Sequence, residues 1–221
     1  MNKFISVIPL RAGSKGIKNK NLQLINGEPL YIRAIKQAGR VTEKCIVNTD
    51  IDEILNKSFT PNIRLYKRDK EYAQDSTNMN EVLNDLFSNV DLRNQIIVLL
   101  QATSPLRNDI DIKKAMEIYE SGKYSLVLSV KKEKSNILKF GFADNNQFIP
   151  INSNYLFKNR QSLPVVFSPN GAIYIFSVKD FLSENCFPTQ NIGFYEMSSE
   201  TSFDIDNHED LEKVNRIIAN K

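Results

Sequence analysis

Histidine is almost absent from this chain: His208 is the only one in 221 residues. A zinc site built on two or three imidazoles, and nucleophilic catalysis through a serine–histidine pair, are thereby excluded in all but form. Cysteine is scarce too. Cys45 and Cys186 stand far apart, with no CxxC spacing and no histidine companion, so free buried thiols in a reducing compartment are expected. Tryptophan is missing altogether. No apolar run approaches the roughly 20 residues that cross a bilayer, and Lys3 is followed only by a short apolar run before Arg11, Lys15 and Lys18. This start lacks the pattern of a secretory signal, so a cytoplasmic protein without a membrane partner is expected. Excess charge is missing as well. A net +3 is too small to argue for nucleic acid, although a mild positive field suits a phosphorylated ligand.

What is present is a regular alternation of short apolar runs with helical patterns. Phe4–Ile8, Cys45–Val47, Ile63–Tyr66, Ile96–Leu100, Ser125–Val130 and Ala172–Phe176 read as strands. Pro29–Arg40, Met79–Val90, a helix capped by Asp109 or Asp111 and ending near Gly122, and Leu211–Ile218 read as helices. Continuous apolar strands alternating with helices predict an α/β, doubly wound, mostly parallel sheet covered on both faces. Residues 1–221 show no composition break and are expected to form one domain. Residues 131–165, rich in Lys, Asn and aromatics, break the rhythm and read as a small inserted hairpin or lobe.

In such a sheet, ligands bind beyond the carboxyl ends of the strands. The first strand is followed by Leu10-Arg11-Ala12-Gly13-Ser14-Lys15-Gly16 and then Lys20-Asn21. Glycines permit close backbone approach, and Arg11 and Lys15 offer positive charge to phosphates. The spacing fits neither a Walker loop nor a GxGxxG fingerprint. The strongest strand ends in Gln101-Ala102-Thr103-Ser104-Pro105-Leu106-Arg107. Thr103 to Pro105 equally suit the start of a helix, whereas the amide of Gln101 terminates five apolar residues where a ligand would lie. Ser202-Phe203-Asp204-Ile205-Asp206, if extended, projects both aspartates to one side and Ile205 into the core. Paired carboxylates repel unless a cation lies between them, and oxygen-only ligands favour Mg²⁺ together with substrate phosphates. A capping turn before the last helix, with Asp206 or Asn207 as cap, is the alternative.

These segments, with Thr49-Asp50 and Pro169-Asn170-Gly171-Ala172-Ile173-Tyr174, run in the order found in the acylneuraminate cytidylyltransferases, and the chain resembles that family along essentially its whole length. The resemblance implies a nucleotide-diphospho-sugar transferase-like fold. It also implies transfer of CMP from CTP to the anomeric hydroxyl of a sialic-acid-type nine-carbon keto-acid sugar, with Mg²⁺ and release of pyrophosphate. It implies nucleotide contacts from Arg11, Ser14, Lys15, Asn21 and Arg68, and sugar contacts from Gln101, Lys139, Arg160, Asn170 and Tyr174. Asp204 and Asp206 would hold the metal, so that Arg11, Lys15, Asp204 and Asp206 carry the chemistry. A homodimer formed through the inserted lobe is implied as well. Two segments depart from the family pattern: Asp75-Ser76-Thr77-Asn78 lacks its serine-rich form, and Ser168 stands where bacterial sialic acid enzymes often carry arginine. Neu5Ac, legionaminic acid and other nonulosonates therefore all stay open. So do a nucleotidyltransferase using another nucleotide or sugar and a metal-dependent glycosyltransferase.

Overall fold

A computed structural model of the chain describes residues 4–220. In chain order the elements are β1 (Phe4–Leu10), β2 (Leu24–Ile25), β3 (Glu28–Pro29), α1 (Leu30–Val41), β4 (Lys44–Thr49), α2 (Asp52–Leu55), β5 (Ile63–Lys67), α3 (Met79–Asn89) and β6 (Ile96–Leu100). There follow α4 (Asp109–Glu120), β7 (Leu126–Glu133), β8 (Gly141–Asp144), β9 (Gln147–Pro150), β10 (Val166–Ser177), α5 (Val178–Glu184), β11 (Ile192–Glu196) and α6 (His208–Ala219).

Seven strands form one sheet in the order β11-β7-β10-β6-β1-β4-β5. The pairs β1/β4, β1/β6, β4/β5 and β7/β11 are parallel, and β10 runs antiparallel to both β6 and β7. The sheet is therefore mixed but mostly parallel, and strand order reverses at β1, between β4 and β6. That crevice is where an open α/β sheet receives ligands.

Strand β6 shows why the sheet is buried on both faces. Its five residues are all apolar and all buried. Ile96, Val98 and Leu100 pack into one cluster with α1 and α4, while Ile97 and Leu99 pack into another with α3 and α5. The two-residue period of the strand divides a continuous apolar run between two cores. A third cluster joins Ile17, Ile25, Leu30 and Leu106 to Ile205 and Val214 of the carboxyl-terminal segment.

Three helices start on the same chemistry. Asn78, Asn108 and Asn207 each accept from the backbone N–H three residues on, where Glu81, Asp111 and Asp210 return the bond, the reciprocal arrangement of a capping box. This corrects the expected cap of α4 from Asp109 or Asp111 to Asn108. Strand β10 is also longer than expected, with an irregularity between Pro169 and Tyr174, and α2, α5 and β11 are additional. Residues 131–165 contain the β8–β9 hairpin. Cys45 is buried, which pushes its thiol up to about 12, but Cys186 is only half-buried. No helix among the described residues is long and apolar enough to cross a membrane.

Candidate active site

Hydrogen bonds tie down the loop after β1. The Ala12 amide donates to Asp50 Oδ1 at 2.9 Å, anchoring the loop to the end of β4, and Asn21 Nδ2 donates to the Arg11 carbonyl at 2.9 Å. Gly13 takes φ +69°, a conformation that disfavours any side chain, and a Cβ on Gly16 would collide with the Asp206 carbonyl. The two glycines thus serve different ends: one turns the loop, the other admits the carboxyl-terminal segment.

A cleft of about 490 Å³ opens over this loop, with Arg11, Ser14, Lys15, Lys20, Asn21 and Arg68 in its lining. Arg68 is buried rather than a surface charge. Its Nε donates to Asn48 Oδ1 at 2.8 Å and its Nη2 to the Asn48 carbonyl at 3.0 Å. Burial pushes its guanidinium down to about 10, against the pull of Asp50 and Asp85, which leaves it charged at neutral pH. Asp75, from the loop before α3, reaches Arg11 at 2.6 Å and Lys15 at 3.1 Å. These ion pairs hold the Asp75 carboxyl below the usual carboxylate range, Arg11 foremost.

A second cleft, of about 930 Å³, contains Lys131, Lys132, Asn170, Tyr174, Glu196 and Ser202 in its lining. Gln101, Asp204 and Asp206 line both clefts. The Gln101 amide lies 3.8 Å from where a Cβ on Gly171 would stand, and Gly171 takes φ +77°. Asn170 directs its side chain into the scaffold: its oxygen accepts from the Ser129 hydroxyl and from the Ala172 amide.

Residues 202–206 form no helix or strand. The Ile205 amide donates to the Thr103 carbonyl at 2.9 Å, and the Ile205 side chain is fully buried in the third core cluster. That anchor leaves Asp204 and Asp206 on the cleft side. Burial pushes the Asp204 carboxyl above its ordinary value; hydrogen bonding to Thr103 opposes this, the Asp206 charge reinforces it and Lys20 opposes it. Asp204 Oδ1 is buried without a partner, and the described residues contain no group of three or more His, Cys, Asp and Glu able to hold a metal. An orphaned carboxylate oxygen beside a second carboxylate fits a hard divalent cation that draws its remaining ligands from water and phosphate. The capping role expected for Asp206 or Asn207 falls to Asn207.

Of the residues singled out in the sequence, Arg11, Ser14, Lys15, Asn21, Arg68, Gln101, Asn170, Tyr174, Asp204 and Asp206 line one or both clefts. Lys139 and Arg160 line neither; Arg160 is exposed at the start of a short turn preceding β10. Sequence reasoning missed Lys20, whose Nζ donates to the Ile205 carbonyl at 2.8 Å and to Asp206 Oδ1 at 3.2 Å. It also missed Asp75 as a partner of the loop cations, and Lys131 and Lys132. Lys20 immediately precedes Asn21, so its position in the loop was a usable signal; the other three depend on pairings across the fold.

Similarity to known proteins agrees with this arrangement. The chain is 34% identical over 214 residues to an N-acylneuraminate cytidylyltransferase of Streptococcus agalactiae serotype V, covering 95% of this chain and 52% of that protein; it thus spans about half the length of that curated relative. It is 31% identical over 230 residues to the CMP-N,N'-diacetyllegionaminic acid synthase of Campylobacter jejuni, covering 100% of this chain and 97% of the relative. A solved structure of CMP:2-keto-3-deoxy-manno-octonic acid synthetase complexed with CTP superposes with a TM-score of 0.73 at 18% identity, over 99% of both chains, and so shares the fold. With the cytidylyltransferase family model matching residues 5–221, the chain belongs to the cytidylyltransferase family.

Proposed function

We propose that this chain transfers CMP from CTP to the anomeric hydroxyl of a sialic-acid-type nine-carbon keto-acid sugar. The observation that carries the reading is the meeting of two clefts at Gln101, Asp204 and Asp206. A cationic cleft suits a nucleoside triphosphate, and the adjoining cleft offers Lys131 and Lys132 to an acidic acceptor, beside the carboxylates of Glu196, Asp204, Asp206 and Asp210. The relatives' names, for neuraminate and legionaminate enzymes, support the same acceptor class.

In this reading the hydroxyl oxygen of the sugar bonds to the α-phosphorus, the bond from that phosphorus to the pyrophosphate oxygen breaks, and the hydroxyl proton is released. Arg11, Ser14 and Lys15 bind the phosphates, while Asn21 shapes the loop through the Arg11 carbonyl. Arg68 orients the base end of the nucleotide, and Gln101 and Tyr174 face the sugar, with Asn170 shaping its cleft. Asp204 and Asp206 would hold Mg²⁺, which would supply charge neutralisation and a lowered hydroxyl pKa. Catalysis then rests on positioning and electrostatics.

The same reading treats the chain as one cytidylyltransferase domain and makes residues 131–165 a dimer contact. Phe140, Phe142, Phe148, Ile149, Ile151 and Phe157 are all exposed there, an apolar concentration that suits a protein interface. A partner subunit docked on this lobe would bring Lys139 and Arg160 toward the acceptor cleft. Pyrophosphate release, measured with CTP, UTP, ATP and GTP against a panel of keto-acid sugars, tests the assignment. Strong preference for CTP with one nonulosonate is expected, and equal turnover with UTP overturns it.

A further inference from the structure

Arg107 is fully enclosed, with 4% of its surface exposed, and no carboxylate among the described residues forms an ion pair with it. The nearest acids are committed elsewhere: Asp109 pairs with Arg40, and Asp111 accepts from the Asn108 amide and from the Tyr195 hydroxyl. Burying a charge without a counterion is costly, so its placement needs a reason that an apolar side chain would not satisfy.

The reason lies in what its hydrogen bonds join. Nη1 donates to the Gln101 carbonyl at 3.0 Å and to the Ala172 carbonyl at 2.6 Å, and Nε donates to Gln37 Oε1 at 2.8 Å. Gln37 returns a bond from its amide nitrogen to the Arg107 carbonyl at 2.7 Å, so the guanidinium is held at its base by α1. The last paired position between β6 and β10 is Leu100 with Ile173. Gln101 and Ala172 are the next residues outward, where the ladder ends and the two strands part around the acceptor cleft. One guanidinium thus bridges the carbonyls on either side of the opening, in place of the backbone bonds that stop there.

We propose that Arg107 is a positioning residue, which sets the acceptor side of the cleft by holding Gln101 and the irregular Asn170–Ala172 stretch of β10 at a constant separation without touching substrate. The inference rests on the functional reading above. Its consequence is selective: the bridge acts on Gln101 and Ala172 at the acceptor cleft, whereas the loop carrying Arg11 is anchored by Asp50 and Asn21, and Arg68 by Asn48.

The test is steady-state kinetics with CTP and the preferred keto-acid sugar, together with melting temperature and the dissociation constant for CTP. Arg107→Lys keeps the charge but has no Nε to bond Gln37, so its single ammonium is no longer held in place between the two carbonyls. It is expected to raise the acceptor KM at least tenfold while CTP affinity stays within twofold. Gln37→Leu, which releases the base of the guanidinium and leaves the strand ends untouched, should raise the acceptor KM severalfold with the same selectivity. It decides the matter if the lysine variant does not fold. A lowered melting temperature with unchanged KM values, or equal losses for both substrates, would overturn the inference and leave a purely structural arginine. Wild-type protein that turns over no keto-acid sugar removes the functional reading, and this inference with it. Wild-type turnover with unselective variants removes only the inference.

Discussion

Asp75 lies 2.6 Å from Arg11 and 3.1 Å from Lys15, so the two cations that face the triphosphate in the proposed reading are shared with a carboxylate in the free protein. Incoming phosphates would have to displace it. Exposed ion pairs are weak, so Asp75→Asn is expected to tighten CTP binding only about 1.5- to 5-fold, measured by titration calorimetry. The sign with pH follows from the depressed carboxyl: the clamp is fully present above the ordinary carboxylate range and is lost only as pH falls through its lowered value. The gain in affinity should therefore shrink on acidification. Weaker binding by the variant would show that Asp75 assists the nucleotide.

The aspartate pair makes a prediction in which stability and activity move in opposite directions. Burial holds the Asp204 carboxyl above its ordinary value, so the folded state binds this proton more tightly than the unfolded chain. Without metal, the stability contributed by this group falls as pH rises from the ordinary carboxylate range through the raised value. Asp204→Asn should abolish that slope, melt at or above wild type at neutral pH in chelator, and lack the stabilisation by added Mg²⁺ that the proposed reading expects of wild type. Turnover should drop at least about 100-fold. A variant that melts lower and turns over normally would identify a structural aspartate.

Lys20 secures the same segment from the opposite side of the cleft, through Asp206 and the Ile205 carbonyl. A charge-assisted contact of this type contributes about 1.5–3 kcal/mol. Lys20→Ala should accordingly cost about 10- to 150-fold in kcat/KM, with a raised Mg²⁺ requirement as the mark of a displaced Asp206. Unchanged kinetics alongside a lower melting temperature would reduce Lys20 to a strut.

The exposed aromatics of the lobe test the dimer. Phe157 is 92% exposed and Phe142 66%. Replacing either with Asp should convert a wild-type dimer to monomer in light scattering, and should depress turnover if Arg160 serves the neighbouring site. Wild-type protein that is monomeric at micromolar concentration would exclude this arrangement.

What could be read from the chain alone depended on how local the determinant was. Ile96–Leu100 announced a central strand because its five apolar residues serve two cores, and glycines with cations after β1 announced a ligand loop. Strand β11 was invisible: Ile192-Gly193-Phe194-Tyr195-Glu196 is an edge strand with three exposed residues, and Gly193 packs against the Tyr124 ring. The cap of α4 was ambiguous because Asn108, Asp109 and Asp111 all suit the role, and only the reciprocal bond with Asp111 selects Asn108. The aspartate alternation was legible because Ile205 needed the core. The partners of Arg11 and Arg107 were not, since Asp75 and Ala172 are each more than 60 residues away.

Gly16 presses on the Asp206 carbonyl and Lys20 reaches the same segment across 186 residues of sequence. During synthesis, the loop after β1 and its companion strands can therefore assemble long before residues 204–206 leave the ribosome. Until they do, the loop after β1 has no aspartate pair opposite it. Loop-closure entropy weighs most heavily on this contact, whose partners are so distant in the chain. In the proposed reading, a chain that has not closed this contact lacks the carboxylates that would hold the metal.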